Sequence, residues 1–142
     1  MQLWKMVLRW YLGGMGYVGL ELLWRGWSHE SMFVVGGICF LLIGEMGRLS
    51  LPPGLRVLLC GLLITGMELL SGIFLNLVLG LQLWDYSMLP LNLFGQICPI
   101  YALLWQGVAG LALTADRLLG RFLFGERFGE PCRQDLKYAS PL

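Results

Sequence analysis

Four apolar runs dominate the chain, near residues 7–26, 31–47, 55–79 and 96–119, and the stretches between them are short, charged or rich in glycine and proline. Such runs decide the solvent before they decide the fold. A helix needs about 20 apolar residues to cross a bilayer. The run at 31–47 is shorter than that, which implies local thinning of the bilayer or an irregular piece shielded by protein. Charged residues make up only 13% of the 142, against 57% hydrophobic, whereas a soluble domain carries about 25% charge. A water-soluble domain of this size has too little interior to hide so much apolar surface. The expectation is an all-α integral membrane four-helix bundle over residues 1–119, followed by a cytoplasmic tail over 120–142.

Charge placement sets the expected orientation. Of the ten Lys and Arg residues, all but Arg25 fall on one side of the four spans. The positive-inside rule therefore puts both termini in the cytoplasm of a plasma-membrane (cell inner membrane) protein. A net charge of +1 argues against a nucleic-acid partner. Cys39, Cys60 and Cys98 sit singly in apolar runs and Cys132 in the tail, so no zinc or thioredoxin spacing exists. The first run lacks a small-x-small cleavage site, so it reads as a span and not as a signal peptide. No cofactor or metal site is expected, and membrane lipids are the expected surroundings.

The spans contain an internal echo. Gly19-Leu20-Glu21-Leu22-Leu23 matches Gly66-Met67-Glu68-Leu69-Leu70, and Gly36-Gly37-Ile38-Cys39 matches Gly95-Gln96-Ile97-Cys98. Two related helical hairpins would place Glu21 and Glu68 at similar depths, where two carboxylates can share a proton or hold a cation.

Glu68 is the sharpest candidate. An unpaired carboxylate in an apolar run is costly, so it must find donors, a partner or water. Glu21 either joins it or simply pairs with Arg25 four residues on. Asp85, Tyr86, Ser87, Asn92 and Gln96 form a polar group beside the membrane rim, with Asn76 and Tyr101 placed to line a space below it. Capping of the loop's own backbone is the competing reading for that group. Glu45 and Asp116 lie near arginines and read as interfacial ion pairs. Trp105 and Gln106 read as helix-packing or hydrogen-bonding residues.

Gly19-Leu20-Glu21, Gly36-Gly37-Ile38-Cys39, Glu68, Trp84-Asp85-Tyr86-Ser87, Pro90-Leu91-Asn92-Leu93-Phe94-Gly95, Ile97-Cys98 and Trp105 together resemble the CmpB-like membrane protein family, an ABC-transporter type IV group. The resemblance implies transport and carries no catalytic role across. It also implies Cys-Pro-Ile-Tyr-Gly after the second helix's glycines. Here that position reads Cys39-Phe40-Leu41-Leu42-Ile43, and Cys98-Pro99-Ile100-Tyr101 stands in the fourth helix instead. No Gly-x-x-x-x-Gly-Lys-Ser/Thr loop is present, which excludes an ATP-hydrolysing subunit.

The functional expectation is a small transporter or channel for a cation or small polar solute, acting through Glu68 and Glu21 with Asp85, Tyr86, Asn92, Gln96, Tyr101 and Asn76. Four short spans enclose little space, so a homodimer and an unidentified membrane subunit are both candidate partners. The competing classes are an accessory or assembly subunit and a membrane-embedded lipid-modifying enzyme. The latter has no Ser-His-Asp set or metal motif behind it.

Overall fold

The fold was obtained as a computed structural model and is described for residues 2–127. Beyond Arg127, the expected tail, with Phe128, Cys132, Arg133 and Lys137, lies outside the described residues. Four helices follow one another: α1 (Leu3–Arg25), α2 (Glu30–Gly47), α3 (Pro53–Gly72) and α4 (Pro99–Leu123). A π-helical segment, Ile73–Val78, prolongs α3.

Local chemistry sets the helix ends. Gly26 takes a left-handed conformation (φ 77°) and returns its N–H to the Leu22 carbonyl, closing α1. His29 caps α2 through Nδ1, which accepts from the Ser31 N–H at 3.2 Å. Pro53 and Pro99 occupy the first helical positions of α3 and α4, where the missing N–H costs nothing. The last helix therefore starts at Pro99 rather than at Gln96, and 96–98 belong to the loop. Helix α2 is regular throughout, so the short run needs no irregular piece.

Helices α1 and α2 form a hairpin that closes on glycine. A Cβ at Gly36 would fall 2.3 Å from the Tyr17 Cβ, and one at Gly13 would fall 2.3 Å from the Phe40 Cβ. Gly14 and Gly37 repeat the pattern against the backbone carbonyls of Phe33 and Trp10. Each helix thus seats its aromatic residues over the other's glycines. Gly16, Gly19, Gly66, Gly107 and Gly110 face open space instead. On α4 the small residue that is fully buried in this region is Ala109.

The second hairpin, α3 with α4, packs on α2 through Ile43, Cys60, Ile64, Ala109 and Leu113. A smaller cluster of Met32, Leu75 and Leu83 seats the long α3–α4 connection. That connection is irregular, with Gln82, Leu91 and Phe94 at positive φ, a region that costs non-glycine residues energy. Asn76, within the π segment, holds it down. Its Nδ2 donates to the Gln96 Oε1 at 2.8 Å and the Trp84 carbonyl at 3.1 Å, while its Oδ1 accepts from the Leu83 N–H at 2.7 Å. Asn76→Ala leaves the buried Leu83 N–H without an acceptor, a cost of about 1–3 kcal/mol. Amide exchange at Leu83 should rise by about tenfold or more. Unchanged exchange would show that the clasp is not what seats the loop.

Candidate functional site

Helices α1 and α4 run beside each other without extended backbone contact. The gap between them is walled by single faces of the two helices. Tyr101, Trp105, Val108, Ala112, Ala115 and Leu119 recur on α4 at alternating spacings of four and three, one helical stripe. Gly13, Tyr17, Leu20 and Trp24 form the facing stripe on α1. Two cavities of about 420 and 330 Å³ lie along this seam. They share Tyr17, Leu20, Trp105 and Val108 as walls, so they adjoin. The larger is apolar and floored by Cys39, Phe40, Ile43 and Ile64.

The smaller cavity carries the polar chemistry. Glu68 is only 7% exposed. One of its oxygens accepts from the Tyr86 hydroxyl at 2.8 Å, the other from the Trp105 indole N–H at 2.7 Å. Both donors are neutral, and no Lys or Arg among the described residues pairs with this carboxylate. Each oxygen keeps a further lone pair. The donors are themselves held by stacking. Tyr86 lies on Tyr101 with ring centroids 4.5 Å apart, and Trp105 lies on Tyr17 at 6.1 Å. Trp24 and Trp84 complete an aromatic wall.

Glu21 lines the same cavity and also pairs with Arg25 at 2.6 Å, so the two sequence-level alternatives coexist. Ser28 donates to its second oxygen. Arg25 donates in turn to the Leu83 carbonyl at 2.6 Å, fastening α1 to the loop.

The expected site residues divide into two groups. Glu68, Glu21, Tyr86 and Tyr101 come together around the cavity. Asp85, Asn92, Gln96 and Asn76 form no part of either cavity's wall. Asp85 accepts from the Ser87 N–H and hydroxyl. Asn92 donates to the Ser87 and Leu89 carbonyls and accepts from the Gly95 N–H. The Gln96 Nε2 donates to the Phe94 carbonyl. These four satisfy the loop's own polar groups and so position Tyr86. Tyr17, Trp84 and Trp105 were absent from the expected site. The signal for Tyr17 and Trp105 was present in the spacing, since Tyr17–Glu21 and Tyr101–Trp105 are both i, i+4 pairs on one helical face, whereas Trp84 lies in the irregular loop.

A second polar cluster closes the opposite end of the seam. Arg9 of α1 is fully buried, and its Nε donates to Asp116 of α4, itself 2% exposed, at 2.8 Å. Its Nη2 donates to Glu126 at 2.8 Å. Partial burial alone would push Glu126 upward in pKa. The hydrogen bond and charge of Arg9, with Arg48 and Lys5 behind, outweigh that and hold it below the ordinary carboxylate value. Phe124 lies under the Arg9 guanidinium and against Trp4. Asp116 is therefore a buried link between helices and not an interfacial ion pair. Glu45 does pair locally with Arg48, at 2.9 Å.

No curated protein and no solved structure matches the chain. A family model described as "Putative ABC-transporter type IV" matches residues 14–118, a stretch that holds both carboxylates of the cavity, the long loop, Trp105 and Asp116, and the chain belongs to that family.

Proposed function

We propose that the protein is a four-span membrane transport protein that takes a cation or small polar solute between α1 and α4, at Glu68. The family's name implies a transport-related role. The outward faces support lipid as the solvent: Leu23 is 88% exposed, Leu103 73% and Leu70 65%, and large apolar side chains are likewise bare elsewhere on α2 and α3. Burying such surface in lipid removes its cost in water. Helix α2 and the α3–π segment are long and apolar enough to cross a bilayer. Lys5, Arg48, Arg56, Arg117 and Arg121 lie near the helix ends on one side of an up-and-down bundle, which supports cytoplasmic termini.

The single observation that carries the site is a buried carboxylate held by two neutral donors beside an adjoining cavity. Its lone pairs can replace part of a cation's hydration shell without a resident cation to compete. Reconstitution into liposomes tests this reading through cation-dependent flux. Glu68→Gln should lower flux roughly tenfold or more, the equivalent of one lost charge-assisted hydrogen bond. Equal flux from both proteins would remove Glu68 from the pathway.

The open positions at Gly66, Gly107 and Gly110 favour a second reading, an accessory subunit whose helices meet a partner's. A stable complex with another membrane protein, with no flux from this chain alone, would select it.

A further inference from the structure

We infer that the ligand of this cleft is an amphiphile, with an ammonium head in the Glu68 cavity and its alkyl chain in the apolar cavity alongside. The inference rests on the cation reading of Glu68 and names the class of cation. Four features of the seam lead to it.

The head cavity combines carboxylates with aromatic faces. Glu68 and Glu21 stand among Tyr86, Tyr101, Trp105 and Trp84. One arginine, Arg25, already neutralises Glu21, which leaves Glu68 as the acidic surplus. A small metal ion would want several oxygen ligands, and among the described residues no group of three or more Asp, Glu, His or Cys side chains is placed to hold one. An organic ammonium is the complementary charge, because ring faces attract it through their quadrupoles while a carboxylate takes its charge. The stacked pairs Tyr86–Tyr101 and Tyr17–Trp105 hold those walls rigid.

The cavity does not end at the head. Through Tyr17, Leu20, Trp105 and Val108 it adjoins a space with almost no polar lining. The α4 wall of that space, from Trp105 to Leu119, is about 21 Å long at 1.5 Å per residue. A small hydrated cation has no use for such a space, whereas an alkyl chain fills it. Arg9 and Asp116 close the far end as an internally paired cluster, whereas Glu68 is a lining carboxyl group with no cationic partner among the described residues. The head is therefore oriented toward Glu68. Because α1 and α4 make no extended backbone contact and meet through side chains at Tyr17–Trp105 and Arg9–Asp116, the chain can enter sideways between those two contacts.

The test uses full-length protein in uncharged maltoside micelles and two probes, dodecyltrimethylammonium and tetramethylammonium. Binding is read by native mass spectrometry and by titration of tryptophan fluorescence. The alkyl chain partitions into micelles whether or not protein is present, so comparisons are made between variants. Gly16→Phe projects a ring from a cavity-wall position with nothing within 4 Å of its Cβ. Gly19→Phe is the control, equally open but off both cavity walls. Wild type should bind one dodecyltrimethylammonium. Gly16→Phe should weaken that probe about tenfold or more while sparing tetramethylammonium, and Gly19→Phe should alter neither. Glu68→Gln should weaken both probes about tenfold or more. Unchanged dodecyltrimethylammonium binding in Gly16→Phe would overturn the placement of the tail and leave the cation reading intact. Unchanged binding of both probes in Glu68→Gln would overturn the cation reading itself.

Discussion

Replacing Arg9 with methionine should destabilise the protein by about 3–5 kcal/mol, the usual cost of orphaning one member of a buried ion pair. The size follows from burial. Asp116 is 2% exposed, and its hydrogen bond from the Arg9 Nε spans two helices. Without Arg9 its carboxylate must ionise unpaired or protonate in place, and either outcome raises the folded-state free energy. The double variant Arg9→Met with Asp116→Ala should recover most of the loss, because removing both charges removes the unpaired one. Unfolding in maltoside micelles compares wild type, Arg9→Met, Asp116→Ala and the double variant. Simple additivity, with the double variant worse than either single one, would contradict the assignment. Acid should act in the same direction through Glu126. Its folded pKa is depressed, so its contribution is present above the unfolded value and is lost as pH falls through the folded one.

Gly36→Ala and Gly66→Ala, the same chemical change, should move stability in opposite directions. Alanine is the better helix former by about 1 kcal/mol, and at Gly66 the new methyl meets nothing within 4 Å. That variant should be stabilised or neutral. At Gly36 the methyl would sit 2.3 Å from the Tyr17 Cβ and 3.2 Å from the Gly13 carbonyl oxygen. Those atoms belong to the stem and backbone of α1 and cannot swing aside, so the helices must part. The expected loss is roughly 3 kcal/mol, the upper end of overpacking costs, with weakened packing of Tyr17 on Trp105 as a secondary effect. Tolerance of Gly36→Ala would mean that α1 and α2 are not held at glycine-limited distance.

The helical content and the hairpin order were legible because apolar runs, prolines and glycines act locally. The starts of α3 and α4 were legible to within three residues: α3 begins at Pro53 against an expected 55 and α4 at Pro99 against an expected 96, each proline taking the first helical position. The π segment was not legible, since it depends on how Asn76 meets Trp84 and Gln96, residues 8 and 20 positions away. Periodicity cannot register such a contact. The echo of Gly36–Cys39 in Gly95–Cys98 pairs a helix interior with a loop, because proline at position 99 moves the helix start beyond the motif. Glu68 was legible as a group that must find donors. Which donors it finds depends on the loop that delivers Tyr86 and on the face of α4 that presents Trp105. Arg9 misled for the opposite reason. Beside Trp4 and Lys5 it reads as an end charge, and only the approach of α4, 107 residues later in sequence, makes it an interior one.

The most direct measurement exposes the protein in micelles to a hydrophobic carbodiimide and maps modified carboxylates by mass spectrometry, with and without dodecyltrimethylammonium. An enterable cleft between α1 and α4 predicts modification at Glu68 that the amphiphile suppresses, while Asp116, sealed by Arg9, stays unmodified under both conditions. Modification of Asp116 in preference to Glu68, or labelling of Glu68 that the amphiphile leaves unchanged, would contradict it.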